Sequence, residues 1–425
     1  MFPPTTRRTA IGAASSALTA ALLGVNPFQT VATEPGSGRL RRVREAAAGR
    51  TAAAVVVGDV PLLHTAQLYP GAFDSDLTGM SREDQSRELL SRLEAVLFAS
   101  GSDLSQLVKL NVFAADAESV SALRQALATQ LPETARPAVT YAIGQFPPQP
   151  TGARLSLDAV AIGGGEIRAK PDQSQFVRPG FSMATLLPPG GVVYISGQAE
   201  SGSDLVDATK KTLAGLKRTI DWLGLTLDDV VEIRSFLTPV ESDPAPVAAA
   251  FRDLFADREV PAATFVEWTL GKNSIEIEMV LRSPKVPPEG ETLEYLTPPW
   301  MTASPVFCRV TRCRRPALAY IGGVVGNPID MRGELMTLFE SLRTVLTEAG
   351  SDFLHLAKAT YFVENQELIA PFGKIRPSYY DPKRPPAASL APVREIAWDE
   401  NAKIRIGRPG MTIDMIAVAT PGDVP

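Results

Sequence analysis

Residues 213–236, "LAGLKRTIDWLGLTLDDVVEIRSF", decide the fold because the same pattern occurs three times. "LSRLEAVLFASGSDLSQLVKLNVF" (90–113) and "FESLRTVLTEAGSDFLHLAKATYF" (339–362) align with it without a gap, at offsets of 123 and 126. Leu90, Leu93 and Leu97 match Leu213, Leu216 and Ile220, then Phe339, Leu342 and Leu346. The i, i+3, i+7 spacing predicts a helix with one apolar stripe. A short polar break follows each helix, and then an alternating run that predicts a strand: Val108, Leu110, Val112; Val231, Ile233, Ser235; Ala357, Ala359, Tyr361.

Working outward, "LLHTAQ" (62–67), "VYISGQ" (193–198) and "AYIGGV" (319–324) each read as a strand ending in a bend. "PAVTY" (137–141), "PAATF" (261–265) and "PAASL" (386–390) follow downstream in register. "RLSLDAVAI", "SIEIEMVLR" and "MTIDMIAVA" close the units as alternating strands. Each unit therefore reads strand, strand, helix, strand, helix, strand, strand. The expected units are 50–165, 175–284 and 302–420, joined by Gly/Pro-rich stretches at 163–173 and 282–300 that read as exposed connectors. The short connectors favour units packed about a pseudo-threefold axis over a string of beads.

The bulk numbers exclude several functions. The net charge of −5 gives no electrostatic footprint for nucleic acid. Two histidines (His64 and His355) and two cysteines (Cys308 and Cys313) cannot build a usual protein zinc site, so no metal and no cofactor is expected. The cysteines, five apart, are expected as free thiols. His64 reads as a packed histidine, and "RVTRCRRP" (309–316) as a charged hairpin edge. Residues 1–49 read as a signal-like or disordered N-terminus. Arg7-Arg8 before an Ala-rich stretch resembles a twin-arginine export signal, with the cytoplasm as the alternative location. No later segment has the 18 or so unbroken apolar residues that a spanning helix needs.

"VYISGQ", "VPAATFVEW" and "SIEIEMVL", with the helix–strand stretch between them, resemble the RidA/YjgF (L-PSP) family. The resemblance covers nearly all of 50–420, as three copies. It implies α+β, chorismate-mutase-like units packed as an intramolecular pseudo-trimer, a monomer in place of a homotrimer. It also implies clefts between units, a small-molecule ligand, and hydrolytic deamination of 2-imino or 2-enamino acids such as 2-iminobutanoate or 2-iminopropanoate. A non-catalytic ligand-binding or structural pseudo-trimer is the alternative. The ribonuclease activity attached to the L-PSP name sits poorly with the acidic balance.

The family's Pro-Ala-Arg arginine grips the substrate carboxylate, yet its positions here hold Val139, Ala263 and Ala388. Arg136 lies three residues early and reads either as a displaced anion grip or as a charge at a strand mouth. The family's water-positioning glutamate corresponds to Ser156, Glu276 and Thr412, so Glu276 alone keeps a carboxylate. Two residues on stand Asp158, Glu278 and Asp414, either site groups or a solvated sheet face. The resemblance assigns backbone contact with the ligand to the bends, here Thr65-Ala66-Gln67, Ser196-Gly197-Gln198 and Gly322-Gly323-Val324. The catalytic candidates are thus Glu276 and Arg136. The binding candidates are Ser196, Gly197, Gln198, Gly322 and Gly323.

Overall fold

The computed structural model describes residues 40–46, 50–147, 150–165, 173–240, 245–269, 273–397 and 407–419. The expected element order appears three times. The first repeat has β2 (Thr51–Gly58), β3 (Leu62–Thr65), α1 (Arg82–Ala99), β4 (Leu107–Ala114), α2 (Ala117–Gln130), β5 (Ala138–Ile143) and β6 (Leu155–Ile162). The second has β7 (Ala184–Leu187), β8 (Gly191–Gln198), α3 (Leu205–Trp222), β9 (Val230–Leu237), α4 (Ala245–Phe255), β10 (Ala262–Glu267) and β11 (Ile275–Ser283). The third has β13 (Val310–Arg314), β14 (Ala317–Val325), α5 (Met331–Glu348), β15 (Leu356–Val363), α6 (Ile369–Ile375), β16 (Ala387–Pro392) and β18 (Met411–Val418), with β17 (Glu395–Ile396) before the last strand.

Three readings change. The stretch read as a signal-like or disordered N-terminus includes a strand, β1 (Leu40–Ala46), paired along β2; residues 1–39, where an export signal is expected, lie outside the described residues. The second connector carries β12 (Leu293–Leu296), which pairs β13. "RVTRCRRP" is therefore an inner strand, not an edge. Cys313 is fully buried and Arg315 nearly so, with Arg315 donating to the carbonyls of Gly190 and Pro188. Both cysteines are free.

The long helix of each repeat is capped by a side chain at the same repeat position, Ser81, Asp204 or Asp330, accepting from the N3 amide. Such a cap contributes about 1 kcal/mol. The apolar stripes then bury: Leu213, Leu216 and Ile220 are at most 2% exposed, and each contributes on the order of 1.5–3 kcal/mol. Three helix-side cores result, one per repeat. A fourth core, with Val108, Val231 and Ala357 among its members, is shared by all three repeats.

The strand after each long helix carries one extra residue against the closing strand, at Leu107/Lys109, Val230/Glu232 and Leu356/Lys358. The extra residue turns Val108, Val231 and Ala357 onto the shared inner core, while Leu110, Ile233 and Ala359 face their helices. These positions therefore do not share one face, as simple alternation predicted.

The repeats interlock through their first strands. β7 of the second pairs β3 of the first, β13 of the third pairs β8 of the second, and β2 of the first pairs β14 of the third. The circle closes, and the protein is an intramolecular pseudo-trimer of α+β units. Lys109, Glu232 and Lys358 occupy one set of equivalent inner positions. Asn111, Arg234 and Thr360 form a second set, and Asp158, Glu278 and Asp414 a third. All of these line, or lie against, a cavity among the three repeats.

Candidate functional site

Each repeat's bend meets the Pro-Ala strand of the next, so there are three inter-repeat clefts. In the first, Gln67 N–H donates to the Ala263 carbonyl at 3.0 Å. In the second, Gly197 N–H donates to Ser389 Oγ at 3.1 Å. In the third, a Cβ on Gly322 would stand 2.8 Å from the Val139 carbonyl oxygen. The Pro-Ala-Arg positions, Val139, Ala263 and Ala388, thus lie on strands that build the clefts, and none supplies a cation.

The bends are registered differently from the sequence alignment in the first repeat. Ladder partners set Leu68 opposite Leu157, Gln198 opposite Ile277, and Val324 opposite Ile413. Gln67 therefore occupies the position of Gly197 and Gly323, not that of Gln198. Its side chain fills the space the glycines leave open: Nε2 donates to Ser156 Oγ at 2.8 Å, and Oε1 accepts from Phe265 N–H at 3.0 Å.

That first cleft holds a small pocket. Its walls include Tyr69, Phe73, Phe176, Phe181 and Phe265, and one cation, Arg178. The guanidinium carbon stands 4.5 Å from the Phe73 ring centre and 5.3 Å from that of Phe265. Burial pushes the Tyr69 hydroxyl well above its ordinary range, with Arg178 opposing. Arg178 comes from the segment entering the second repeat, at no position the sequence singled out.

The second cleft holds Glu276. Its carboxyl packs on Gly197, where a Cβ would overlap it and displace the side chain. Its Oε1 is buried without a hydrogen-bond partner. Burial, then the nearby Glu278 charge, pushes its pKa up to about 8, against the pull of Lys358, Ser389 and Arg309. Glu278 accepts from Lys358 Nζ at 2.6 Å and from Ser389 Oγ. The bend's amides are already engaged: Ser196 N–H donates to the Arg309 carbonyl at 2.9 Å, and Gly197 N–H goes to Ser389. Gln198 turns away and donates to Thr219 Oγ1 at 3.1 Å. In the third cleft a Cβ on Gly323 would stand 2.9 Å from Thr412 Oγ1, in the place of the Glu276 contact.

Arg136 and Glu276 are not brought together. Arg136 sits at the mouth of β5, paired with Glu45 at 2.6 Å and donating to the Glu133 carbonyl at 2.8 Å. It reads as a strand-entrance charge. Asp158, Glu278 and Asp414 are buried and ion-paired, so they form no solvated sheet face. Among the described residues no group of three His, Cys, Asp or Glu side chains could hold a metal ion.

Tandem α+β units meeting in bend-to-strand clefts define the class, and the comparisons give the family. The family described as endoribonuclease L-PSP matches residues 47–161 and again 177–282, over half of the chain, and the chain belongs to it. Among curated proteins, the mitochondrial proteins mmf2 and mmf1 of Schizosaccharomyces pombe are each 29% identical over 79 residues, 19% of this chain. The match spans 63% of mmf2 and 49% of mmf1. Similar solved structures include a YjgF family member from Neisseria meningitidis, 18% identical with a TM-score of 0.21, covering 30% of this chain and 95% of that one. A member of the YjgF/YER057c/UK114 family from Mycobacterium tuberculosis is 25% identical with a TM-score of 0.21, covering 23% and 84%.

Proposed function

We propose that the chain binds a small organic carboxylate in the cleft between its first and second repeats and does not hydrolyse an imine there. The observation that carries this reading is Arg178, a buried guanidinium held against Phe73 and Phe265 in an aromatic-walled cavity. A guanidinium over aromatic rings in a largely apolar pocket is a cation that can form charge-assisted hydrogen bonds with a carboxylate. It supplies from the connecting segment the charge that Ala263 lacks.

Catalysis has no support in this cleft. Ser156 stands at the position of Glu276, and its hydroxyl is bonded to Gln67. Glu276 itself lies in the next cleft against Gly197, where burial and the Glu278 charge raise its pKa to about 8, so it adds no carboxylate to this cleft.

Titration calorimetry with 2-oxobutanoate tests the reading. Saturable binding is expected, weakened at least about tenfold by Arg178→Gln, the scale of a lost charge-assisted hydrogen bond. Freshly generated 2-iminobutanoate should release ammonia no faster than in buffer. Faster release, or binding unchanged in a folded Arg178→Gln variant, overturns it.

A further inference from the structure

The cavity on the pseudo-threefold axis is separate from the clefts, and its chemistry is uncommitted at particular atoms. It draws its lining from all three repeats. The charged groups around it are largely paired with one another. Lys109 Nζ lies 2.9 Å from Asp414, and Lys358 Nζ lies 2.6 Å from Glu278. Arg234 reaches Asp158 at 3.1 Å, Glu232 at 3.0 Å and Glu278 at 3.6 Å. Three cations thus face four carboxylates, and the formal balance is one negative charge.

A second observation is independent of this count. His64, Tyr194 and Tyr320 occupy equivalent positions, opposite Val160, Val280 and Ile416 in their ladders. All three are at most 2% exposed; His64 Nε2 lacks a hydrogen-bond partner, and the Tyr194 and Tyr320 hydroxyls face each other with no other partner. His64 Nδ1 lies 2.7 Å from Glu232 Oε2. A carboxylate can only accept, so Nδ1 carries a proton, and in the neutral tautomer Nε2 presents a lone pair. His64 and Tyr320 both line the cavity.

We propose that the axial cavity binds a small monocation that donates hydrogen bonds: ammonium or a short primary alkylammonium. The cation neutralises the residual charge, donates to His64 Nε2, and donates to the Tyr320 hydroxyl oxygen. An anion would have to displace carboxylates from Lys109, Lys358 and Arg234. A metal ion finds no ligand set of three His, Cys, Asp or Glu among the described residues.

The test is calorimetric titration of the full chain at pH 7 with ammonium, methylammonium and potassium chlorides at fixed ionic strength. Saturable binding of ammonium and methylammonium is expected, with potassium at least about tenfold weaker because it donates no hydrogen bond. His64→Phe should weaken ammonium binding at least about tenfold. Tyr320→Phe keeps the ring and its packing, and should weaken binding several-fold. Circular dichroism establishes that each variant is folded, and Tyr320→Phe decides the matter if His64→Phe is not. Equal affinity for potassium, no saturation with ammonium, or unchanged affinity in a folded variant overturns the proposal.

Discussion

Glu276→Gln should stabilise the protein, and by an amount that grows with pH. The carboxyl titrates near its ordinary value of 4.5 when unfolded and at about 8 when folded. Between these values the native state holds a proton that the unfolded state has released, so stability falls as pH rises through that window. The contribution is fully present below pH 4.5. Each pH unit removes about 1.4 kcal/mol, which accumulates to about 3 kcal/mol at pH 7 and about 5 kcal/mol above pH 8. Glutamine keeps the shape against Gly197 and cannot ionise. Urea unfolding of both proteins at pH 5, 6, 7 and 8 reads the difference directly. The variant's advantage should be within about 1 kcal/mol at pH 5 and rise at each step. A difference that stays constant across the series would refute the claim that burial against Gly197 and beside Glu278 holds this carboxyl neutral.

Arg234→Met should cost at least about 3–5 kcal/mol in urea unfolding at pH 7, because it leaves Asp158, Glu232 and Glu278 without their shared cation in a buried network. Arg136→Ala should change stability by no more than about 1 kcal/mol and leave 2-oxobutanoate binding unchanged, since it breaks a surface pair with Glu45 and one exposed hydrogen bond to the Glu133 carbonyl. A marked loss of binding would return Arg136 to the site.

The helices and their order were legible because a buried stripe leaves a 3.6-residue signature that survives divergence, as at Leu213, Leu216 and Ile220. The pairing of β2 with β14 was not: it depends on ring closure between distant residues, which no local pattern encodes. The inner faces were misread for a related reason. Alternation assumes an unbroken ladder, and the shift at Leu107/Lys109 reverses which neighbour faces inward. In the clefts, the absence of arginine at Val139, Ala263 and Ala388 was visible, but the presence of Arg178 was not. Arg178 approaches from a connecting segment, and only the folded chain brings it to Phe265. Gln67 was misplaced because matching it to Gln198 by identity overrode a one-residue difference in the bend.

The closed ring also sets an order of assembly. β2 covers one edge with β1, but its other edge is met chiefly by β14, where Tyr320 lies opposite Val55. During synthesis the earliest repeat must therefore wait, with a flat apolar strand edge uncovered, until the last repeat has left the ribosome. Such long-range pairing slows folding, and an open edge invites pairing with other chains. A chain truncated within its third repeat would lose more than a third of its structure, because it would strand β2 of the first.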